Sequence, residues 1–79
     1  MKRKLSAREI EAVRDAILQY GLYFIGHVNT VDVYEIEARG DEDWLATCTL
    51  HFSDGREELD ACYAVERDEH GEFFVPAGF

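Results

Sequence analysis

Residues 44–65 read WLATCTLHFSDGREELDACYAV, and this stretch decides the fold. Asp54-Gly55 between two alternating apolar runs is a strong β-hairpin signal. Pairing Ser53 with Arg56 across a two-residue turn sets the register by counting outward. Trp44 then faces Val65, Ala46 faces Tyr63, Cys48 faces Ala61 and Leu50 faces Leu59. All eight share one face, as a core-facing ladder requires. The opposite face carries Thr47 with Cys62, Thr49 with Asp60 and His51 with Glu58. One hairpin therefore supplies a core wall and a polar, acid-bearing outer wall.

Upstream, Ser6-Ala7-Arg8-Glu9 fits the capping box, in which the Ser and Glu side chains satisfy each other's terminal amides. Leu5 and Ile10 have the spacing of a hydrophobic staple across that cap. Ile10, Val13, Ile17 and Tyr20 recur at helical spacing, with Leu18 widening the stripe. Gly21 stands where a left-handed C-cap belongs, with Leu22 folding back on the last turn. The pattern predicts a helix over 7–20, preceded by a basic, flexible tail at 1–4.

From Leu22 the chain turns β-rich, LYFIGHVNTVDVYEIEAR, interrupted by Gly26 and Asn29. This is one bent strand with a bulge or two strands with a tight turn. Tyr34, Ile36 and Ala38 share one parity and read as core-facing, while Glu35 and Glu37 share the other. Gly40 to Asp43 makes a turn into the hairpin. Glu69-His70-Gly71 makes the next turn, and Glu72 to Val75 reads as a short last strand stopped by Pro76. A helix and a one-sided sheet must cover each other. The expected architecture is a single α+β domain over 1–79. Its N-terminal helix packs on one face of an antiparallel meander (22–77) of four strands, or five if Tyr23 to His27 forms another.

Eight Lys and Arg against seventeen Asp and Glu give a net charge of −9 over 79 residues. Five of those bases lie in residues 1–20 against three acids, leaving three bases against fourteen acids beyond. A field of that sign repels nucleic acid and anionic membrane and attracts basic surfaces. A composition 47% hydrophobic and 13% aromatic argues against disorder. Small domains bury a low fraction of their surface, so both a monomer and a homodimer are admitted. In the register above Cys48 points inward and Cys62 outward, so the two do not bridge. Lys2-Arg3-Lys4 leads into an amphipathic pattern rather than an apolar run, so no signal peptide or spanning segment is expected, and a reduced cytoplasm is the natural setting.

By parity the outer sheet face collects Glu35 and Glu37 from one strand and Glu58, Asp60 and Glu66 from another. The turns add Asp41, Glu42 and Asp43, and also Asp68, Glu69 and Glu72. Same-face residues on a strand repeat every 6.6–7 Å or so. Such rows can stand in for the phosphates of a nucleic-acid backbone; the plain alternative is a solvated face. His51 opposite Glu58, with Asp60 diagonal, lacks a pocket that would make it catalytic. Neither C-x-x-C nor H-x-x-x-H occurs, so no metal site is expected. No cofactor motif is present, and an enzyme is the last choice. Phe73, Phe74 and Phe79, with Tyr23, are candidate aromatic contacts for a partner or a second copy; folding back of the tail over the core is the alternative.

A small, strongly acidic α+β chain bearing the rows Glu35/Glu37 and Glu58/Asp60/Glu66 resembles the small phage-encoded anti-CRISPR proteins. The resemblance is one of size, charge and fold style, not of motif. It implies an inhibitor that binds a protein with a basic nucleic-acid-binding surface, a CRISPR effector complex, and blocks DNA binding by charge mimicry. A dimerising structural or assembly module, and an immunity-type protein that neutralises a nuclease, remain open beside it.

Overall fold

The computed structural model describes residues 4–76. The basic tail up to Arg3 and the aromatic contact at Phe79 lie outside the described residues. The chain forms an α+β fold, with one helix packed against a four-stranded antiparallel sheet of order β1-β2-β3-β4. Helix α1 spans Ala7–Tyr20, β1 Val28–Gly40, β2 Asp43–Phe52, β3 Glu57–Arg67 and β4 Phe73–Phe74.

The capping box is formed. Ser6 N–H donates to Glu9 Oε1 at 2.9 Å, and Glu9 N–H donates to Ser6 Oγ at 3.2 Å. Val13 and Ile17 from the helix meet Val28, Val31, Ala46, Cys48, Leu50, Ala61 and Val65 from the sheet in one core. Burial pushes the Cys48 thiol up to about 11.

The helix does not stop at Gly21. Gly21 is right-handed (φ −62°), and the chain continues as a π-helical turn over Gly21–Ile25, closed by the Gly26 N–H donating to Gly21 O at 2.7 Å. The fifth strand at Tyr23 to His27 is therefore absent, and the sheet begins at Val28 rather than residue 22. The reversal comes later, at Gly26 (φ 89°) and His27 (φ 63°). Glycine is needed at 21 for space: a Cβ there would lie 2.9 Å from Val28 Cγ2. Leu22 does not fold back and is exposed.

The hairpin departs from the simple register near its tip. Phe52, not Ser53, pairs with Arg56, leaving the three-residue loop Ser53-Asp54-Gly55 with Gly55 at φ 93°. Leu50 thus faces Glu58, and His51 faces Glu57. A bulge between Cys48 and Leu50, with Asp60 at φ 57°, restores the count. Beyond it Cys48–Ala61, Thr47–Cys62, Ala46–Tyr63 and Trp44–Val65 pair as the alternation requires. The expected pairs Leu50–Leu59, Thr49–Asp60 and His51–Glu58 do not form. Leu59 is exposed rather than core. A second bulge, between Val33 and Glu35, displaces Tyr34 from the core-facing parity of Ile36, and the residue is 54% exposed.

Arg67 joins the distant parts. Its guanidinium lies over the Trp44 and Phe73 rings, at 5.4 and 5.5 Å, and donates to Glu9 and Glu42.

Candidate functional site: the acidic sheet face

The helix covers one face of the sheet; the register defines the other. On β1, Asp32, Glu35 and Glu37 stand beside Thr49, Thr47 and Leu45 of β2. On the far side of β2, Glu57 stands beside His51 and Glu66 beside Asp43. Partnered residues share a face, so these carboxylates lie opposite the core residues Ala46, Cys48 and Leu50. A row of three carboxylates on β1 and two carboxylates at opposite ends of β3, with Cys62 and Ala64 between them, flank a mostly neutral β2. The two sets are separated by two strand spacings, roughly 9–10 Å. No Lys or Arg occupies any of these register positions. Among the described residues, Glu35, Glu37 and Glu66 enter no ion pair.

His51 joins Asp32 and Glu57 at one end of this face. Its Nε2 lies 2.7 Å from Asp32 Oδ2 and its Nδ1 3.0 Å from Glu57 Oε2. A neutral imidazole has one donor nitrogen, so only the protonated ring makes both bonds as a donor. The expected partner Glu58 is elsewhere: pairing with Leu50 places it on the helix-facing side, where its charge bears on Tyr63 and Cys48. Glu58 is thus removed from the outer row. Asp60 sits in the β3 bulge and accepts a hydrogen bond from the Tyr34 hydroxyl, which reaches across β2. That bond, more than burial, raises the Tyr34 phenol to about 12.

The turn acids divide by role. Asp41 is exposed. Glu42 takes a two-point grip from Arg67, with Nε to Oε2 at 3.1 Å and Nη2 to Oε1 at 2.9 Å. Asp43 is half-buried, and its Oδ1 has no hydrogen-bond partner among the described residues. Asp68 closes the β3–β4 turn by accepting from the N–H groups of Glu72 and His70, both at 2.9 Å, which holds its carboxyl below the usual range. Glu69, beside it, is exposed.

The structure thus brings Glu35, Glu37 and Glu66 onto one face and adds Asp32, whose parity the bulge between Val33 and Glu35 changes, and Glu57, which a two-residue turn would place on the other face. The signal for Glu57 was present: Gly55 ends the triplet Ser53-Asp54-Gly55, the composition of a three-residue hairpin loop. Of the aromatic candidates, Phe73 packs on Trp44 at 5.4 Å between centroids, while Phe74 is 40% and Tyr23 80% exposed. Among the described residues no group of three His, Cys, Asp or Glu side chains is placed to hold a metal ion. No helix of the described residues is long and apolar enough to cross a membrane.

Comparison with protein-family models, with curated proteins and with solved structures found no match.

Proposed function

We propose that the protein is a stoichiometric inhibitor that covers the basic nucleic-acid-binding surface of another protein, in the cytoplasm of the cell where that target works. A CRISPR effector complex is the partner class, and the block falls on DNA binding. The observation that carries this reading is the uncovered sheet face, on which Asp32, Glu35, Glu37, Glu57 and Glu66 flank β2 with no Lys or Arg among them. Gathering like charges on one face costs stability through repulsion. Pairing with a field of Lys and Arg relieves that repulsion and occupies the groups that would otherwise pair with phosphate. Such association is fast and weakens with salt.

The test is competition between this protein and target DNA on purified effector complexes of several types, across a salt series. The wild-type chain is expected to block DNA binding, steeply less so as salt rises. A variant with Glu35→Lys, Glu37→Lys and Glu66→Lys should fold and fail to block. Equal blockade by wild type and variant overturns the assignment to this face, and indifference of every effector overturns the partner class.

A second reading rests on a separate observation. Leu22, Tyr23, Phe24 and Ile25 on the π-helical turn are 50%, 80%, 64% and 43% exposed, an apolar patch on a strongly charged chain. It favours an assembly module that dimerises through this turn. Concentration-dependent sedimentation that disappears in Tyr23→Ser/Phe24→Ser, and that salt does not weaken, would select this reading over the first.

A further inference from the structure

Among the described residues, the order β1-β2-β3-β4 leaves β1 paired on one side only. Every second residue of an edge strand directs its N–H and C=O away from its neighbour, as a template for another strand. A groove of about 540 Å³ runs along that open edge. Six consecutive residues, Val33 to Ala38, line it. Consecutive residues of a strand alternate between faces, so they line one groove together only where it follows the backbone edge itself. Leu5 and Ile10 beside the helix start, with Trp44, add to the apolar part of the lining, and among the described residues Lys4 is its one cation.

We infer that this edge accepts an extended segment of a partner protein in which Lys or Arg alternates with Val- or Ile-like residues, added to the sheet as a fifth strand beside Glu35–Ala38. The chemistry follows from the two sides of β1. Glu35 and Glu37 point to the outer face and Ile36 and Ala38 to the inner one, by their pairing with Thr47, Leu45, Ala46 and Trp44. A strand laid alongside matches a cation to each carboxylate and an apolar residue to the Leu5–Ile10 side. The bulges at Val33/Glu35 and Ala38/Gly40 bound the regular run, so the docked length is short, roughly 13 Å. A second copy of this chain is the wrong occupant: antiparallel pairing of two β1 edges sets Glu35 and Glu37 against their own equivalents, under a net charge of −9 on each chain. The inference stands on the edge and does not require the inhibitor reading.

The experiment titrates the isotope-labelled full chain with the peptide acetyl-Lys-Val-Lys-Val-Lys-Val-Lys-amide, following amide shifts and amide hydrogen exchange. Binding with a Kd of about 1 mM or tighter is expected, with exchange slowed along β1. The same peptide carrying N-methyl groups on every internal backbone amide keeps its charge and loses the donors of both edges, and should bind at least about tenfold more weakly. Equal binding by both peptides would show charge attraction alone and overturn the inference. So would shifts that avoid Val33 to Ala38, or protection of β1 by self-association without peptide. Glu66→Lys separates the two readings: it should weaken blockade of an effector and leave peptide binding at the edge unchanged.

Discussion

Arg67, near the end of β3, donates from Nη1 to Oε2 of Glu9 at 3.0 Å, while Oε1 of the same Glu9 accepts the Ser6 N–H that caps the helix. One carboxylate therefore both starts α1 and fastens its N-terminus to the sheet. The Arg67 side chain is 16% and the Glu9 side chain 24% exposed, so the pair is shielded from water on both sides. Glu42 takes the other donors of the guanidinium, and Trp44 and Phe73 flank it. Helix, first turn, third strand and last strand meet at this one side chain.

Arg67→Ala is expected to cost about 2–4 kcal/mol, because it strands a shielded carboxylate and removes packing on two rings. Arg67→Lys should recover only part of this, since an ammonium does not grip two carboxylates and two rings in a plane. Urea denaturation midpoints check it; a loss under about 0.5 kcal/mol, the scale of an ordinary surface pair, would show that the cluster is dispensable.

Gly21→Ala should destabilise, against the usual sign. In a right-handed helix the replacement normally gains roughly 0.8–1 kcal/mol. Here the new methyl would lie 2.9 Å from Val28 Cγ2, and the close approach of the turn to β1 would open. The expected net cost is about 1–3 kcal/mol. In a Val28→Ala background the Cγ2 contact is removed and only the 3.2 Å approach to the residue-28 Cβ remains, so the same substitution should cost less. A double-mutant cycle with no coupling would contradict the contact.

Two tyrosines should ionise late. The hydrogen bond to Asp60 raises Tyr34, and burial, reinforced by Glu58, raises Tyr63, each to about 12 from 10.0. The sign follows from linkage: a folded pKa above the unfolded one stabilises fully below pH 10, and that contribution is lost as pH rises through about 12. Absorbance titration should show a tyrosinate step near pH 12. Tyr34→Phe and Tyr63→Phe should each remove part of it, and the step should vanish in the double variant.

Acid should loosen the β3–β4 turn. Bonds from Glu72 and His70 backbone lower the folded pKa of Asp68 below 3.8. The stabilisation is thus present above that unfolded value and is lost as pH falls through the lower, folded one. Amide exchange at Gly71 to Phe74 should accelerate over that window. Asp68→Asn keeps the side-chain oxygen but removes the charge, and should flatten this pH dependence.

The cap, the helix from Ala7 to Tyr20 and the pairing of Trp44 to Cys48 with Ala61 to Val65 were legible because each is written in neighbouring residues. Ser6 and Glu9 need only each other, and an inward set of Trp44, Ala46, Cys48 and Leu50 has one face to hide. The acidic face was legible to the same depth: Glu35, Glu37 and Glu66 follow from alternation, while Glu57 and Glu58 exchange sides with one extra loop residue. A strand's side chains have period two, so a single inserted residue reverses every assignment until a bulge reverses it back.

The amino-acid sequence by itself determined an α+β chain with a capped amphipathic helix, an apolar hairpin face and a concentrated negative charge. Only the tertiary structure decided that the helix runs on to Ile25, that Tyr34 and Asp60 leave the regular ladders to bond each other, and that Arg67 gathers Glu9 and Glu42. The reason is range. Caps and alternation are set by residues within a few positions, whereas the fit of Gly21 against Val28, the bond of Ser53 N–H to His27 O and the reach of Tyr34 to Asp60 join segments whose meeting depends on the whole fold.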